Sequence, residues 1–310
     1  MFQCNNKKLT RANIIFYWQT AQIFVILHVF TINFQKAADF MKDKRILYVS
    51  SEVVPYLPET EISSMSFEAP RMVNKQGGQI RIFMPRFGNI NERRHQLHEV
   101  IRLSGINLVI NDLDMPLIIK VASIPKERIQ VYFIDNEEYF KRKATLTDEN
   151  GALFPDNDER AIFFAKGVIE TVKKLNWAPD IIHVNGWLAS LLPLYLKEYY
   201  KTEPLFTESK IVTSVYNQSF DGTLDKDMLK KISFDGLDEE MTKPLEKPDY
   251  VNLMKVAIDN SDAIIRGSEH LPDELDTYLN DLNKPVLDYF SIEEFADPYT
   301  DFYNNTVLNS

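Results

Sequence analysis

Short apolar runs alternate with helix-like patterns along the chain from residue 44 onward. Runs such as 46–49 and 80–84 have strand length, and the segments between several of them show the three-to-four spacing of apolar residues that a helix needs. This alternation is typical of βαβ units and a parallel sheet. The pattern therefore predicts an α/β fold with a Rossmann-like, doubly wound, mostly parallel sheet.

The same pattern predicts where the elements lie. The 106–110 and 117–121 runs flank a turn at 111–116 and should form a hairpin, and a helix spans 188–200 with a kink at Pro193. Segment 221–248 has weak periodicity and is interpreted as a loop with one short helix. The clearest helix opens at Asp156, whose polar group and the acids after it suit helix-capping. The predicted strands are 46–49, 80–84, 106–110, 117–121, 129–134, 181–184, 211–216 and 263–265, the last in the chain.

A polar and aromatic cluster closes the strand at 181–184. His183, Asn185 and Trp187 stand there, just before an apolar helix. In an open α/β sheet the carboxyl ends of the strands form the ligand edge, so this cluster is a candidate site. A core histidine between two structural tryptophans, Trp177 and Trp187, explains the same residues.

Polar side chains also follow three other predicted strands, and all four exits are expected to face one cleft. Carboxylates and amides bind sugar hydroxyls in pairs, and a tryptophan face covers a sugar's C–H surface, so a neutral polyhydroxyl ligand suits this set better than phosphate. The loop at 141–150 is interpreted either as a lid or as an ordinary solvated loop. The exits are Ser51–Glu52, Asp135–Asn136, His183–Trp187 and Tyr216–Asn217, joined by Asp156, Asn157 and Arg160 at a helix start.

Composition excludes several functions. The 310 residues carry 45 acidic and 35 basic side chains, for a net charge of −10, which disfavours nucleic acid as a partner. The single cysteine, Cys4, excludes an internal disulfide framework and suggests a cytoplasmic protein. No phosphate-binding glycine loop or metal-binding spacing occurs, and His95 with His98 lies on a charged, solvated face. We therefore expect no cofactor and no metal.

Residues 1–40 differ from the rest because they are largely apolar and follow a basic start. Two interpretations are open: a signal anchor or marginal membrane helix, or a misassigned start with translation beginning at Met41. The second is favoured because no small-residue cleavage site follows. The expected organisation is a 1–40 extension, one domain at 41–303 and a tail at 304–310.

Five blocks resemble the bacterial glycogen and plant starch synthases, retaining glucosyltransferases built from two Rossmann-like domains in the GT-B arrangement. The resemblance covers about residues 44–301 and corresponds to the family's N-terminal, glucan-acceptor domain, so it implies the N-terminal half of a GT-B fold. The blocks are ILYVSSEVVPY at 46–56, RIFMPRFG at 81–88, VYFIDNEEYF at 131–140, FPDNDER at 154–160 and WAPDIIHVNGW at 177–187.

The chain departs from the family in its phosphate loop. There the family has Ala-Lys-Thr-Gly-Gly-Leu-Ala-Asp-Val, whose lysine and glycine amides meet the donor's phosphates. This chain has Pro58 for the lysine and Thr60 and Glu61 for the glycines. Losing a cation and gaining the carboxylates of Glu59 and Glu61 should repel a diphosphate.

Further departures from the family remove polar side chains from the strand exits. Gly186 and Leu188 stand where the family has aspartate and histidine, and Tyr216 replaces another histidine. Residues 299–301 match the family's interdomain linker, so the donor domain is expected to be absent from this chain, together with the groups that hold and activate the sugar nucleotide.

The resemblance implies glucosyl transfer from ADP-glucose to an α-1,4-glucan, whereas the departures favour a pseudoenzyme that binds a glucan or a partner. ADP-glucose is then not expected to bind the isolated chain, and the former interdomain face could bind a protein or a second copy. Two alternatives are an active hexosyltransferase that works with a separate donor-domain chain and retention of these residues for packing alone. His183 is the catalytic candidate, and the glucan-binding candidates are Glu52, Asp135, Asn136, Asp156, Asn157, Arg160, Asn185, Trp187, Tyr216 and Asn217.

Overall fold

The computed structural model describes residues 41–309, in which ten strands are present. Seven of them, β10, β9, β8, β7, β1, β2 and β6, run parallel in that order, while β5 is antiparallel to β6 and pairs with β3 and β4. The predicted mostly parallel sheet is thus confirmed. The strands are β1 Arg45–Ser50, β2 Gln79–Pro85, β3 His98–Glu99, β4 Ile106–Ile110, β5 Leu113–Ile124, β6 Ile129–Asp135, β7 Ile181–Asn185, β8 Lys210–Val215, β9 Ala263–Arg266 and β10 Val286–Leu287.

Helices cover both faces of this sheet. On one face α1 contacts α10, and on the other α4, α5 and α8 pack together. The α-helices are α1 Glu61–Lys75, α2 Glu92–His95, α3 Glu137–Phe140, α4 Asn157–Leu175, α5 Leu192–Lys197, α6 Met228–Ser233, α7 Glu239–Thr242, α8 Tyr250–Asp259, α9 Asp273–Asn280 and α10 Ala296–Asp301. A π-helix, Phe302–Val307, continues α10, and short 3-10 turns occupy Trp187–Ala189, Pro204–Phe206 and Lys243–Glu246.

The central strands are buried on both faces, which explains their continuous apolar runs. Every residue of β7 is buried, and β1 is buried from Ile46 to its end. Gly167 of α4 lies so close to β6 that a Cβ there would come within 2.9 Å of Ile134 Cγ2. The absence of a side chain at this position lets α4 pack directly on the sheet.

The structure corrects one predicted turn and one predicted helix kink. The β4–β5 turn is tighter than 111–116, because Asn111 and Asp112 both adopt left-handed backbone (φ 47° and 64°) and β5 begins at Leu113. A two-residue turn of that handedness matches the twist of a hairpin. Pro193 does not kink a helix: it lies in the first turn of α5, where its missing N–H is not needed.

Three other assignments change. Segment 221–248 holds two short helices, α6 and α7, and a 3-10 turn, not one helix in a loop. The predicted strand at 263–265 is not the last, since β10 pairs in parallel with β9 beyond it. Asp156 precedes α4 but its side chain makes no capping hydrogen bond, because its backbone (φ −99°, ψ 14°) is not extended as an N-cap requires; its Oδ2 binds Arg142 (2.5 Å).

The interpretations of residues 1–40 fall outside the described residues. Among residues 41–309, no helix combines the length and apolar character needed to cross a bilayer. At the other end, Val307, which lies in the segment predicted to be a tail, is buried within the π-helix, so this part of the segment packs on the domain.

Candidate functional site

Three of the four predicted strand exits lie side by side. Ser50 of β1 is in register with Asn185 of β7, which is in register with Ser214 of β8. The exits of these strands therefore share one side of the sheet, the carboxyl edge, on which Glu52, Gly186 and Asn217 lie. The exit of β6 is separated from β1 by β2, so the polar residues form two groups.

Glu52 connects the start of α1 to the exit of β8. Its Oε2 accepts a hydrogen bond from Thr60 Oγ1 (2.7 Å), and its Oε1 accepts one from Gln218 Nε2 (3.1 Å). Both carboxylate oxygens are therefore already bonded to the protein.

The N-terminus of α1 is closed by its own residues. Thr60 Oγ1 accepts from Ser63 N (3.0 Å) while Ser63 Oγ accepts from Thr60 N (2.8 Å), a reciprocal capping box. Glu61, the first residue of the helix, accepts a hydrogen bond from Ser268 Oγ and brings its charge to the positive end of the helix dipole. This is the segment that the resemblance aligns with the family's phosphate loop.

Asn185 and Tyr216 bind each other beneath the edge. The Tyr216 hydroxyl donates to Asn185 Oδ1 (2.9 Å), and both residues are at most 2% exposed. Asn217 is exposed, and its backbone N–H donates to Ser268 Oγ (2.9 Å). Trp187 is also buried, with its ring 5.0 Å from that of Phe220, so its indole is covered by protein.

Gly186 has a conformation that few other residues adopt. Its backbone (φ 83°, ψ 150°) is almost exclusive to glycine, and a Cβ would lie 2.2 Å from Ser51 Oγ. Any residue with a Cβ at this position, including the aspartate that the resemblance implies for the family, would therefore meet both backbone strain and a steric clash in this chain.

Three polar atoms around Gly186 have no hydrogen-bond partner within residues 41–309. They are Ser51 Oγ, Asn185 Nδ2 and Gln218 Oε1, and Ser51 and Asn185 are at most 1% exposed. All three atoms are shielded from solvent, and an ordered water would satisfy the two amide atoms by donating to the amide oxygen and accepting from the amide nitrogen.

His183 lies within the strand and not at its exit. Its ring is fully buried between β8 and the C-terminal π-helix, with Nδ1 2.6 Å from the Tyr303 hydroxyl and Nε2 2.7 Å from Ser214 Oγ. Burial lowers the pKa of His183 to about 3, so the imidazole is neutral at physiological pH.

The exit of β6 is a separate group of ion-paired side chains, in which Glu92 also pairs with Arg86 (3.4 Å) and Lys120 (2.7 Å). Asp135 Oδ2 forms ion pairs with Arg86 Nε (2.9 Å) and Lys120 Nζ (3.1 Å). Asn136 caps α3 through its Oδ1, and its Nδ2 donates to the Pro116 carbonyl (2.9 Å). Both side chains thus hold neighbouring segments in place.

Arg160 and Asn157 fasten the 141–150 loop to α4. Arg160 donates to Asn157 Oδ1 (2.6 Å) and to the Thr145 carbonyl (2.7 Å), and Asn157 donates to the Leu146 carbonyl (2.8 Å). The Arg160 guanidinium also lies near the rings of Phe87, Phe140 and Phe154. Burial, with the nearby Arg142 charge, lowers the pKa of Arg160 to about 9, so it still carries its charge at pH 7.

Sequence reasoning missed a buried ion cluster beside this group. Lys231 Nζ lies 2.7 Å from Asp158, 2.9 Å from Glu159 and 2.9 Å from Asp225. Burial raises the pKa of Asp158, whereas the three carboxylates outweigh burial and raise the pKa of Lys231. A buried acid in the first turn of α4 demands a cation, but the sequence does not indicate which one. Across residues 41–309 no group of acidic, histidine or cysteine side chains is arranged to hold a metal.

The fold and the carboxyl edge define the class: a Rossmann-like α/β domain whose ligand edge carries polar side chains. Residues 45–284 match the family model of the starch synthase catalytic domain. The chain belongs to this family.

Relatives and a solved structure agree with that assignment. The chain is 37% identical over 241 residues to a glycogen synthase from Chlorobium limicola, covering 76% of this chain and 48% of the relative. It is 36% identical over 236 residues to one from Chlorobium luteolum, covering 76% and 47%. The catalytic domain of starch synthase IV from Arabidopsis thaliana, bound to ADP and acarbose, has the same fold (TM-score 0.66, 15% identity, 81% of this chain and 52% of that one). The chain thus has the GT-B starch synthase catalytic domain fold and spans about half the length of the curated relatives it matches.

Proposed function

We propose that this domain binds an α-glucan at its carboxyl edge and does not bind the diphosphate of a sugar nucleotide there. The chain's membership of a family of glucan synthases supports the first part. The second part rests on the N-terminus of α1.

The observation that carries the proposal is the capping box at Thr60 and Ser63. A helix N-terminus binds phosphate when its amides are free and the dipole is not opposed by negative charge. Here the side chain of Thr60 occupies an amide and the carboxylates of Glu52 and Glu61 add negative charge nearby. Electrostatic stabilisation of a leaving diphosphate accounts for much of the catalysis of glucosyl transfer, so its loss predicts an inactive or very slow domain.

The unbonded polar atoms around Gly186 favour a neutral ligand. Ser51 Oγ, Asn185 Nδ2 and Gln218 Oε1 are uncharged and unbonded but shielded from solvent, so a sugar hydroxyl reaches them only when the half-buried Gln218 side chain moves aside. Glu52, half-buried beside them, can accept from a sugar hydroxyl in addition to its present bonds. In this proposal His183, with both ring nitrogens bonded, positions β7 and the π-helix instead of contacting the sugar.

Calorimetric titration of the full chain with maltoheptaose and, separately, with ADP tests the proposal. We expect saturable binding of maltoheptaose, weakened by Gln218→Ala, and no binding of ADP at concentrations up to the millimolar range. Asn107→Ala, remote on β4, is the matched control and should bind like the parent. Absence of glucan binding, or transfer of labelled glucose from ADP-glucose by this chain alone, would refute the proposal.

A second candidate is an active hexosyltransferase completed by a separate donor-domain chain. A groove of about 370 Å³ at the same edge favours it, because exposed Glu59 and Glu61 adjoin Phe290 and the 40%-exposed Ile292. Such a mixed acidic and apolar surface suits a protein partner. The test is glucosyl transfer after mixing the chain with the C-terminal half of the Chlorobium limicola glycogen synthase. Ile292→Asp should abolish any activity gained, whereas the exposed Ile101→Asp should not.

A further inference from the structure

A basic groove of about 800 Å³ lies away from the carboxyl edge, where β2 and β6 begin. It is bounded by the start of β2, the turn between β5 and β6, and α2. Four cations, Arg81, Arg94, Lys126 and Arg128, line it and define the basic groove.

Among the residues that the structure describes, no aspartate or glutamate lines this groove, although the whole chain carries a net charge of −10. The nearest acid in sequence is Glu127, between Lys126 and Arg128, and its carboxylate is paired with Arg71 (3.1 Å). His95 also lines the groove, and burial and the Arg94 charge lower its pKa, so it is neutral at pH 7 and adds no charge there. The cations therefore concentrate positive potential without internal neutralisation.

Arg81 is held ready to bind an anion. Its Nη1 donates to the Tyr132 hydroxyl (2.9 Å), and its guanidinium lies over the rings of Trp177 (5.0 Å) and Tyr132 (5.5 Å). Within residues 41–309 no carboxylate forms an ion pair with it. Burial and the nearby charges of Arg102 and Arg45 lower the pKa of Arg81, yet the guanidinium remains charged at pH 7.

The groove also presents neutral donors beside the cations. Tyr132 OH donates to Gln130 Oε1 (3.1 Å), which orients that side chain and leaves its amide N–H groups as donors. Gln79 and Gln96 also line the groove. Arginine forks together with amide N–H groups form the donor set that phosphate oxygens bind.

We propose that the basic groove binds a small molecule carrying two or more phosphate charges. The volume suits a compact ligand and not a polymer, and four cations spread around one concavity match charges at both ends of such a molecule. Because the groove lies away from the strand exits, this site is distinct from the glucan edge and does not depend on the function proposed for that edge.

Calorimetric titration of the full chain with glucose 1,6-bisphosphate, in phosphate-free buffer at low and moderate salt, tests the proposal. The test variant is Arg94→Gln/Arg128→Gln, which alters two exposed side chains outside the core. The control is Lys230→Gln/Lys243→Gln, which removes the same charge from two exposed lysines that do not line the groove. We expect saturable binding by the parent and the control, and at least a roughly tenfold loss of affinity in the test variant.

Several results would overturn the proposal. The proposal fails if the bisphosphate does not bind, if both double variants lose the same affinity for it, or if only a single-stranded oligonucleotide binds. Equal affinity for glucose and for the bisphosphate would also refute it, since phosphate would then contribute nothing. Added salt should weaken bisphosphate binding while the parent and the control still bind more tightly than the test variant, and this result would support the proposal.

Discussion

The two edges of the sheet use charge in opposite ways. At the carboxyl edge and the adjoining β6 exit, charged groups are bonded to the protein: Glu52 to Thr60 and Gln218, Asp135 to Arg86 and Lys120. In the basic groove, where β2 and β6 begin, no carboxylate of residues 41–309 lines the wall beside the cations. The position of a polar residue after a strand therefore locates it at the ligand edge but does not make it available to a ligand.

This difference predicts which substitutions lower stability and which weaken ligand binding. Where a polar group is bonded to the protein, its removal should lower stability first, because it leaves a partner unsatisfied. Where a group has no partner, its removal should affect ligand binding and leave stability nearly unchanged. The largest loss of stability is expected where the bonded group is a buried charge.

Lys231→Met should lower the free energy of unfolding by about 3–5 kcal/mol, because it leaves buried Asp158 with an uncompensated charge. The difference in the free energy of unfolding between the variant and the parent should become smaller as the pH falls. Without Lys231 beside them, the carboxyl groups of the folded variant take up protons more readily, and protonation removes the uncompensated charge. Urea unfolding at about pH 8 and pH 5 measures both effects. The exposed neighbour, in Lys230→Met, should change stability by less than about 0.5 kcal/mol. Equal losses in the two variants would contradict a structural role for the cluster.

The Lys231 cluster also shows what sequence could not reveal. The central strands were predictable because runs such as 46–49 and 80–84 are apolar on both faces, and the family resemblance located the strand exits. Pairing of Lys231 with Asp158, in contrast, joins residues 73 positions apart and leaves no periodic pattern. The same holds for His183, whose partner Tyr303 lies 120 residues away.

Short elements were also not predictable. The two residues of β10 follow Pro285 and are too few for an alternating pattern, and α6 spans only six residues. The bonding of individual side chains was not predictable either: Asp156 looks like a helix cap in sequence, but its backbone is not extended and its Oδ2 binds Arg142.

Gly186→Ala should destabilise the domain by about 1–3 kcal/mol more than Gly222→Ala, a control at nearly the same φ. The extra cost comes from the Cβ, which would lie 2.2 Å from Ser51 Oγ at position 186 and meets nothing within 4 Å at position 222. Differential thermal unfolding compares them. Because Ser51 Cβ also lies 3.2 Å from that position, Ser51→Gly should recover part of the loss in the double variant. Equal destabilisation at the two glycines would show that the edge tolerates a Cβ and is loosely packed.

His183 should make the parent lose stability as the solution is acidified. Its folded pKa of about 3 is far below the roughly 6.5 of an unfolded histidine, so the unfolded state alone binds a proton between these values. The contribution is complete above about pH 6.5 and is lost at about 1.4 kcal/mol per pH unit below it. In His183→Gln this component of the pH dependence should disappear, whereas the exposed His270→Gln should retain it. Urea titrations from pH 7 to pH 5 distinguish them, and identical slopes in all three proteins would place His183 in contact with solvent.

A triple variant should create an anion site at the carboxyl edge at little cost in stability. It combines Pro58→Lys, Thr60→Gly and Glu61→Gly. Glycine at an N-cap costs only a few tenths of a kcal/mol, while the new lysine and the loss of a carboxylate restore positive potential at the start of α1. We expect roughly tenfold tighter binding of ADP than in Glu239→Lys, which changes net charge by the same amount at an exposed position on α7. Equilibrium dialysis with labelled ADP provides the comparison. If both variants bind ADP equally, the sequence of the α1 start does not exclude the diphosphate, and the contrast between the two edges must come from the surrounding strands.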